Sequence, residues 1–438
     1  MGLLTFRGGI HPNDGKAMSK DKPIEPVQAG DILYFSLSQH IGAPAKPLVK
    51  KGDHVLRGQM IAEAGGFVSA PVYSSVSGDV TGMQKMRMPI GNLVDCIVVE
   101  NDHKMEEVSY EEADWRQMTP KEIVARIQKG GIVGMGGAGF PNHVKMSPKD
   151  PDAIEYILVN GAECEPYLTS DYRRMLEEPQ KVAEGLRIVL QIFPKAKGYI
   201  CIEANKPDCV EIMKKETAND ANIEVKMLKT KYPQGAERML INATTGRCIN
   251  SKMLPADAGC IVDNIDTIVG IYKAVALGEP LMNRIITVTG DAIADPKNFY
   301  APTGMLFSEL VECAGGFKGT PDKLIIGGPM MGNPVFSLDI PVIKTSSAML
   351  ALSEDEVSKL EPSACINCGR CMEACPEHLM PTRLSVLADN GKEDEFQKMY
   401  GMECCECGCC TFVCPAKRHL AQSIKSMRKI LLGKRKKG

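Results

Sequence analysis

No apolar run in this chain of 438 residues approaches the roughly 20 residues that crossing a bilayer requires. The first residues, MGLLTFRGG, lack the charged and apolar regions of a signal peptide. Both absences predict a chain that stays in the cytoplasm. Neither charge is in surplus: 52 Lys and Arg stand against 54 Asp and Glu, a net charge of −2. A general polyanion-binding bias is thereby excluded, and nucleic acid is not an expected partner. Hydrophobic content of 44% and charged content of 24% describe a globular chain, and its length predicts three or four domains.

What is abundant is cysteine. Ten of the 17 fall between Cys365 and Cys414, too regular for a disulfide scaffold. The runs Cys365-x2-Cys368-x2-Cys371-x3-Cys375-Pro and Cys404-x2-Cys407-x2-Cys410-x3-Cys414-Pro share one spacing. In two-cluster ferredoxins three closely spaced thiolates hold one [4Fe–4S] cubane and the fourth, before proline, ligates the other. That rule predicts one set of Cys365, Cys368, Cys371 and Cys414, and a second of Cys404, Cys407, Cys410 and Cys375. Structural zinc, the alternative, uses four ligands in two separated pairs and fits a doubled ferredoxin spacing poorly. Cys405 and Cys409 are left over and are expected to be buried free thiols.

A helix-patterned segment, TPKEIVARIQKGGIVG, leads into Gly134-Met-Gly136-Gly137-Ala-Gly139-Phe140, with Lys145 just beyond. Four glycines in six residues let a backbone turn its N–H groups toward a phosphate, with Lys145 as a point charge, although such a segment also suits a plain turn. The apolar strand in AIEYILVNGAECEPY ends at Asn160, Glu163 and Glu165, where open α/β sheets bind ligands, or where a polar loop is simply solvated. Another strand, GYICIEA, then Tyr232-x2-Gly235-x-Glu237 and Asp263-Asn264-Ile-Asp-Thr, continue an alternation that suits a doubly wound, Rossmann-like domain.

The ordered motifs G-x-GGAGFP-x3-K, N-G-x-E-x-EP, Y-x2-G-x-E and D-N-I-D-T resemble the flavin-binding core of the NADH-oxidising flavoprotein subunit of respiratory complex I. With FRGGIHP at the start and two ferredoxin motifs at the end, the whole chain resembles the C-subunit family of Rnf ion-translocating ferredoxin:NAD oxidoreductases. The resemblance implies a non-covalent FMN held by Gly134, Gly136, Gly137, Gly139 and Lys145, in a site completed by Asn160, Glu163, Tyr232, Glu237 and Asn264. It also implies that Phe140 stacks on NADH, that Glu165 contacts the nicotinamide, and that Glu163 lies at the flavin edge. The chain departs from complex I at Met135, Ala162, Ala236 and Asp263, where that family has Arg, Asp, Glu and Asn.

On the same comparison, residues 1–110 form a lipoyl-like barrel-sandwich, 111–279 the FMN and NADH domain, 280–345 a soluble-ligand-binding β-grasp domain serving as a packing spacer, and 346–421 a helical two-cluster ferredoxin domain. No lysine occurs from Gln59 to Gln84, which removes the swinging-arm role of a lipoyl carrier. Residues 422–438 read as a basic amphipathic tail. Leu420, Ile424, Met427 and Leu431 lie on one face, with Lys425, Arg428, Lys429 and the Lys434 to Lys437 run around them, suited to an anionic membrane surface, a membrane subunit or a solvated terminus.

A nicotinamide delivers two electrons as hydride whereas clusters carry one at a time, so a flavin between them is the expected converter. The expectation is a peripheral oxidoreductase subunit on the cytoplasmic side of the cell membrane. Its partners are NAD(H) and the membrane and ferredoxin-accepting subunits of the complex. A cobalamin reductase, which resembles this family in its flavin and cluster modules, and a scaffold with a vestigial flavin site are the alternatives.

Overall fold

The computed structural model describes residues 2–435 and organises them around four sheets. None of its described helices is long and apolar enough to cross a membrane. Near the N-terminus, Ile32–Ser36, Leu93–Asn101, Gly78–Arg87 and His54–Val55 form an antiparallel sheet that faces a smaller one of Lys46–Pro47, Met60–Glu63 and Val72–Tyr73. Leu33, Phe35, Val55, Ile61, Val72, Ile97 and Val99 fill the space between them, as a half-buried strand pattern demands.

The central sheet is entirely parallel, ordered Ile223–Leu228, Lys197–Glu203, Tyr156–Gly161, Cys260–Asn264. Parallel strands need crossovers and covered faces, which explains the continuous apolar runs: Ile157, Leu158, Val159, Ile200 and Ile202 are all fully buried. The helix expected in TPKEIVARIQK is Pro120–Lys129, opened by a Thr119–Glu122 capping box and buried through Ile123 and Ile127. From Tyr156–Gly161 the chain first builds outward on one side, then returns to add Cys260–Asn264 on the other. The carboxyl ends of those two strands therefore flank a topological switch point, where such sheets open a crevice for ligands.

The third sheet corrects the expected boundaries. Its order is Ile24–Pro26, Lys297–Pro302, Asn283–Thr289, Ala348–Leu352, Lys323–Ile326, Asn333–Val335. Ala348–Leu352 sits inside the sheet, parallel to Asn283–Thr289 and antiparallel to Lys323–Ile326, so this unit runs past residue 345. Ile24–Pro26, within the first 110 residues, pairs in parallel with Lys297–Pro302 and so joins the two segments through this sheet. Residues before it form a strap: Leu4 bridges Leu228, and Ile10 pairs with Tyr232 through N–H donations of 2.8 and 2.9 Å in both directions.

The C-terminal unit packs Pro381–Asp389, Glu393–Lys398 and Leu420–Arg435 around Leu384, Leu387, Phe396, Ile424, Met427 and Leu431. This corrects the reading of 422–438 as a separate tail. The apolar stripe of the last helix is core, with Leu420, Ile424, Met427 and Leu431 each no more than 5% exposed, and is used up inside the protein. Lys425 and Arg428 pair with Glu406, and Lys434 with Glu393. Lys436 and Lys437 lie outside the described residues.

Candidate functional site

The glycine segment is a loop tied at its base. Gly134 donates its N–H to the Phe140 carbonyl at 2.9 Å, and Met135 donates to Thr267 Oγ1 at 2.9 Å. Between these ties Gly136, Gly137 and Ala138 are exposed, while Gly139 is buried against Thr345 and Phe140 is half-buried. A Cβ on Gly136 would lie 3.0 Å from Asn264, and one on Gly235 would lie 3.2 Å from Asn160 Oδ1. The loop therefore packs closely against the end of Cys260–Asn264, and Gly235 against the end of Tyr156–Gly161, leaving little room for a side chain.

Asn160 donates to the Gly235 carbonyl at 2.8 Å and accepts from Ala162 N–H. Asn264 donates to Asp171 Oδ2 at 2.6 Å, and the Asp171 N–H donates to Glu163 Oε1 at 2.7 Å. That short chain joins the two strand ends across the switch point. Its middle member, Asp171, was not read from the sequence. Burial, then the nearby Glu163 and Asp266 carboxylates, push its carboxyl up to about 7. Behind it Asp266 accepts from Arg174 at 2.9 Å and from Arg284, a buried network that stiffens the floor.

Lys145 is not a free point charge. Its Nζ donates to the Val262 carbonyl at 2.6 Å and to Asp263 Oδ1 at 2.8 Å, and Asn142 donates to the same oxygen at 3.0 Å. Asp263 Oδ2 is buried without a partner. Glu237 opens the helix Glu237–Thr245, and desolvation raises its carboxyl, with Lys145 opposing. Glu165 is committed elsewhere: its Oε1 accepts from the Met330 and Met331 N–H groups at 2.7 and 3.0 Å, tying this loop to the neighbouring six-stranded sheet. Burial raises its carboxyl.

The site thus combines a loop with exposed peptide groups, two contacts that a Cβ would fill, and buried orphan acceptors at Glu163 Oε2 and Asp263 Oδ2. The loop and the two close contacts fit the phosphate end of a cofactor such as FMN at a switch point, and the orphan acceptors fit hydrogen-bond donors of the cofactor, not its phosphate. Tyr232 lies farther back than the rest. It is 2% exposed and packs with Ile10, Ala374, Cys407 and Cys409, at the seam between the parallel sheet and the cysteine block.

Within that block, Cys375, Cys404, Cys407 and Cys410 line one hollow together with Leu379, Pro381 and Ile424. Burial pushes the Cys404 and Cys410 thiols up to about 12. Cys371 lies within charge range of Cys414 and Cys365, and Cys365 Sγ is 3.4 Å from Thr382 Oγ1. Cys365 and Cys368 are exposed. No group of three or more His, Cys, Asp or Glu among the described residues is tight enough for a single ion. Of the two leftover cysteines, Cys409 is fully buried as expected, whereas Cys405 is only partly buried and borders the hollow.

Known families match in the same order. The RnfC barrel sandwich hybrid domain matches residues 4–104, the Nuo51 FMN-binding domain 127–273, the SLBB domain 285–334 and the 4Fe-4S binding domain 359–378. A chain with these parts is a flavin and iron–sulfur oxidoreductase component. The C subunit of the proton-translocating ferredoxin:NAD(+) oxidoreductase complex of Clostridium ljungdahlii is 46% identical over 387 residues, covering 88% of this chain and 84% of that protein. Its Na(+)-translocating counterpart from Acetobacterium woodii is 41% identical over 436 residues, covering 99% and 98%. The chain belongs to this RnfC family, the C subunits of the ion-translocating ferredoxin:NAD(+) oxidoreductase complexes. An NAD+-reducing [NiFe]-hydrogenase chain shares the fold, with a TM-score of 0.51 at 16% identity over 73% of this chain and 62% of that one.

Proposed function

We propose that the chain is the peripheral subunit through which electrons pass between NAD(H) and the rest of a membrane ferredoxin:NAD oxidoreductase complex. FMN supplies the conversion between hydride and single-electron transfer, and two [4Fe–4S] clusters supply conduction. The observation that carries this reading is the convergence of the glycine loop, Asn160, Glu163 and Asn264 on one switch point.

In this reading Gly134, Gly136, Gly137 and Gly139 shape the phosphate cradle, and Lys145, paired with Asp263, closes it beside Glu237. Asn160, Glu163 and Asn264 face the flavin ring, and Phe140 stacks on the dinucleotide. Glu165 fixes the loop between them through the Met330 and Met331 amides. Tyr232 separates the flavin from the more buried cysteine set, which supports an electron order from flavin to the set containing Cys404, Cys407, Cys410 and Cys375 and then to the more exposed set of Cys365, Cys368, Cys371 and Cys414. The cytoplasmic face of the membrane is the side on which NAD(H) is met. Relatives of 46% and 41% identity are named for different ions, protons and sodium, which supports placing ion selection in other subunits.

The test is anaerobic reconstitution of the whole chain. It should hold about eight irons and one FMN, and oxidise NADH with ferricyanide as the one-electron acceptor. A holoprotein whose flavin is reduced by neither NADH nor NADPH overturns the nicotinamide assignment, and an iron content near four overturns the second cluster.

A further inference from the structure

The loop 162–168 that carries Glu163 is held by two buried lysines from outside it. Lys206, 2% exposed, donates to the Ala162 carbonyl at 2.6 Å and belongs to the same parallel-sheet unit. Lys16, 6% exposed, arrives on the N-terminal strap, 149 residues away in the chain from Glu165. It donates to the Glu165 carbonyl at 3.1 Å and to the Leu168 carbonyl, and its Nζ lies 3.7 Å from Glu163 Oε2. That carboxylate oxygen is buried and has no hydrogen-bond partner, while Oε1 is taken by the Asp171 N–H. Glu163 itself has a φ of 44°, a left-handed conformation uncommon for glutamate, so something must hold the loop in place. Lys16 binds the carbonyls that follow the turn.

We propose that Lys16 is a positioning residue for the flavin edge. It fixes the Glu163 loop and offsets the Glu163 carboxylate, and through that pair it sets the reduction potential of the flavin. The proposal rests on the reading of Glu163 as a flavin contact. The physical argument is one of charge at short range in a dry site. A carboxylate beside the ring opposes the arrival of electrons, an ammonium favours it, and neither is screened as it would be in water. Beside this pair the buried Lys206 and Glu203 stand 3.8 Å apart as a second pair. Removing Lys16 shifts the local balance toward the carboxylates, and removing Glu163 shifts it toward the ammonium groups.

The test is a redox titration of the flavin in holoprotein carrying Lys16→Met, Lys16→Arg, Glu163→Gln and the double variant Lys16→Met with Glu163→Gln, alongside FMN affinity of the apoprotein. The midpoint potential should fall in Lys16→Met, rise in Glu163→Gln, stay near the parent in Lys16→Arg and return toward it in the double variant. A lysine that only holds the loop shut would weaken FMN binding in both Lys16→Met proteins and leave no such restoration. An unchanged potential in Lys16→Met, or a double variant as low as the single, overturns the proposal. If Lys16→Met fails to fold, Glu163→Gln and Lys16→Arg decide it, because a midpoint that does not rise in the first or that drops in the second overturns it too. Parent protein that takes up no FMN overturns the flavin site itself and this inference with it, a result that none of the variant comparisons can mimic.

Discussion

At the scale of single residues, Asp263 is one of the positions where the sequence departs from the pattern it resembles. In the structure this carboxylate holds Lys145, so in the proposed site the lysine would meet the FMN phosphate with part of its charge already offset and with Asp263 Oδ2 buried and unpaired. Lys145→Ala removes a charge-assisted contact of about 1.5–3 kcal/mol and exposes the phosphate to the aspartate, so FMN affinity should weaken by roughly ten- to a hundredfold or more. Asp263→Asn should do the opposite, tightening FMN by roughly five- to tenfold, since about 1 kcal/mol of repulsion is lost while Asn142 and Lys145 keep an acceptor. Fluorescence titration of the apoprotein with FMN reads both. An Asp263→Asn protein that binds FMN more weakly than the parent would place the phosphate elsewhere. Residues of this kind were legible because they lie inside short motifs. Asp171, Arg174 and Lys16 were not: each acts across the fold on a partner far off in the chain, and a buried charge shows no local pattern.

At the scale of elements, those whose own residues settle the matter could be read in advance. Pro120–Lys129 has its proline, capping box and apolar spacing in one segment, and the doubled cysteine spacing is its own signature. Elements defined by a distant neighbour could not. Ile24–Pro26 is three residues ending in proline and becomes a strand only because Lys297–Pro302 lies alongside, and Ala348–Leu352 is an apolar run that either a helix or a strand would accommodate. The final helix shows the same limit from the other direction. Its amphipathic pattern was real, but what covers the apolar face is protein, not lipid. Ile424→Ala should therefore destabilise the protein by about 2–5 kcal/mol and lower the iron retained, measured by thermal unfolding and iron assay without any membrane present. A variant as stable and as iron-rich as the parent would return the apolar face to the membrane.

At the scale of the whole molecule, the five cysteines around the hollow come from both runs, and the Cys371 neighbourhood likewise includes Cys414. The two runs should thus fail crosswise. Cys414→Ser should damage the cluster held by Cys365, Cys368 and Cys371 while the paramagnetic signal of the buried cluster persists. Resolved spectra showing loss of the buried cluster alone would refute the crossing.

The same long-range logic governs the N-terminal strap. Gly9 donates to the Ala374 carbonyl at 2.9 Å, and Gly8, at a φ of 89°, leaves no room for a Cβ beside the Cys375 carbonyl 2.9 Å away. The strap therefore touches the parallel sheet at Leu228 and Tyr232, the edge strand at residues 298–300 and the cysteine block at 374–376. On the ribosome it emerges before every surface that receives it, the last of them roughly 365 residues later. Its contacts at Leu228 and Tyr232 can form once those residues have emerged, whereas its seat against the cysteine block has to wait until residues 374–376 have followed it out.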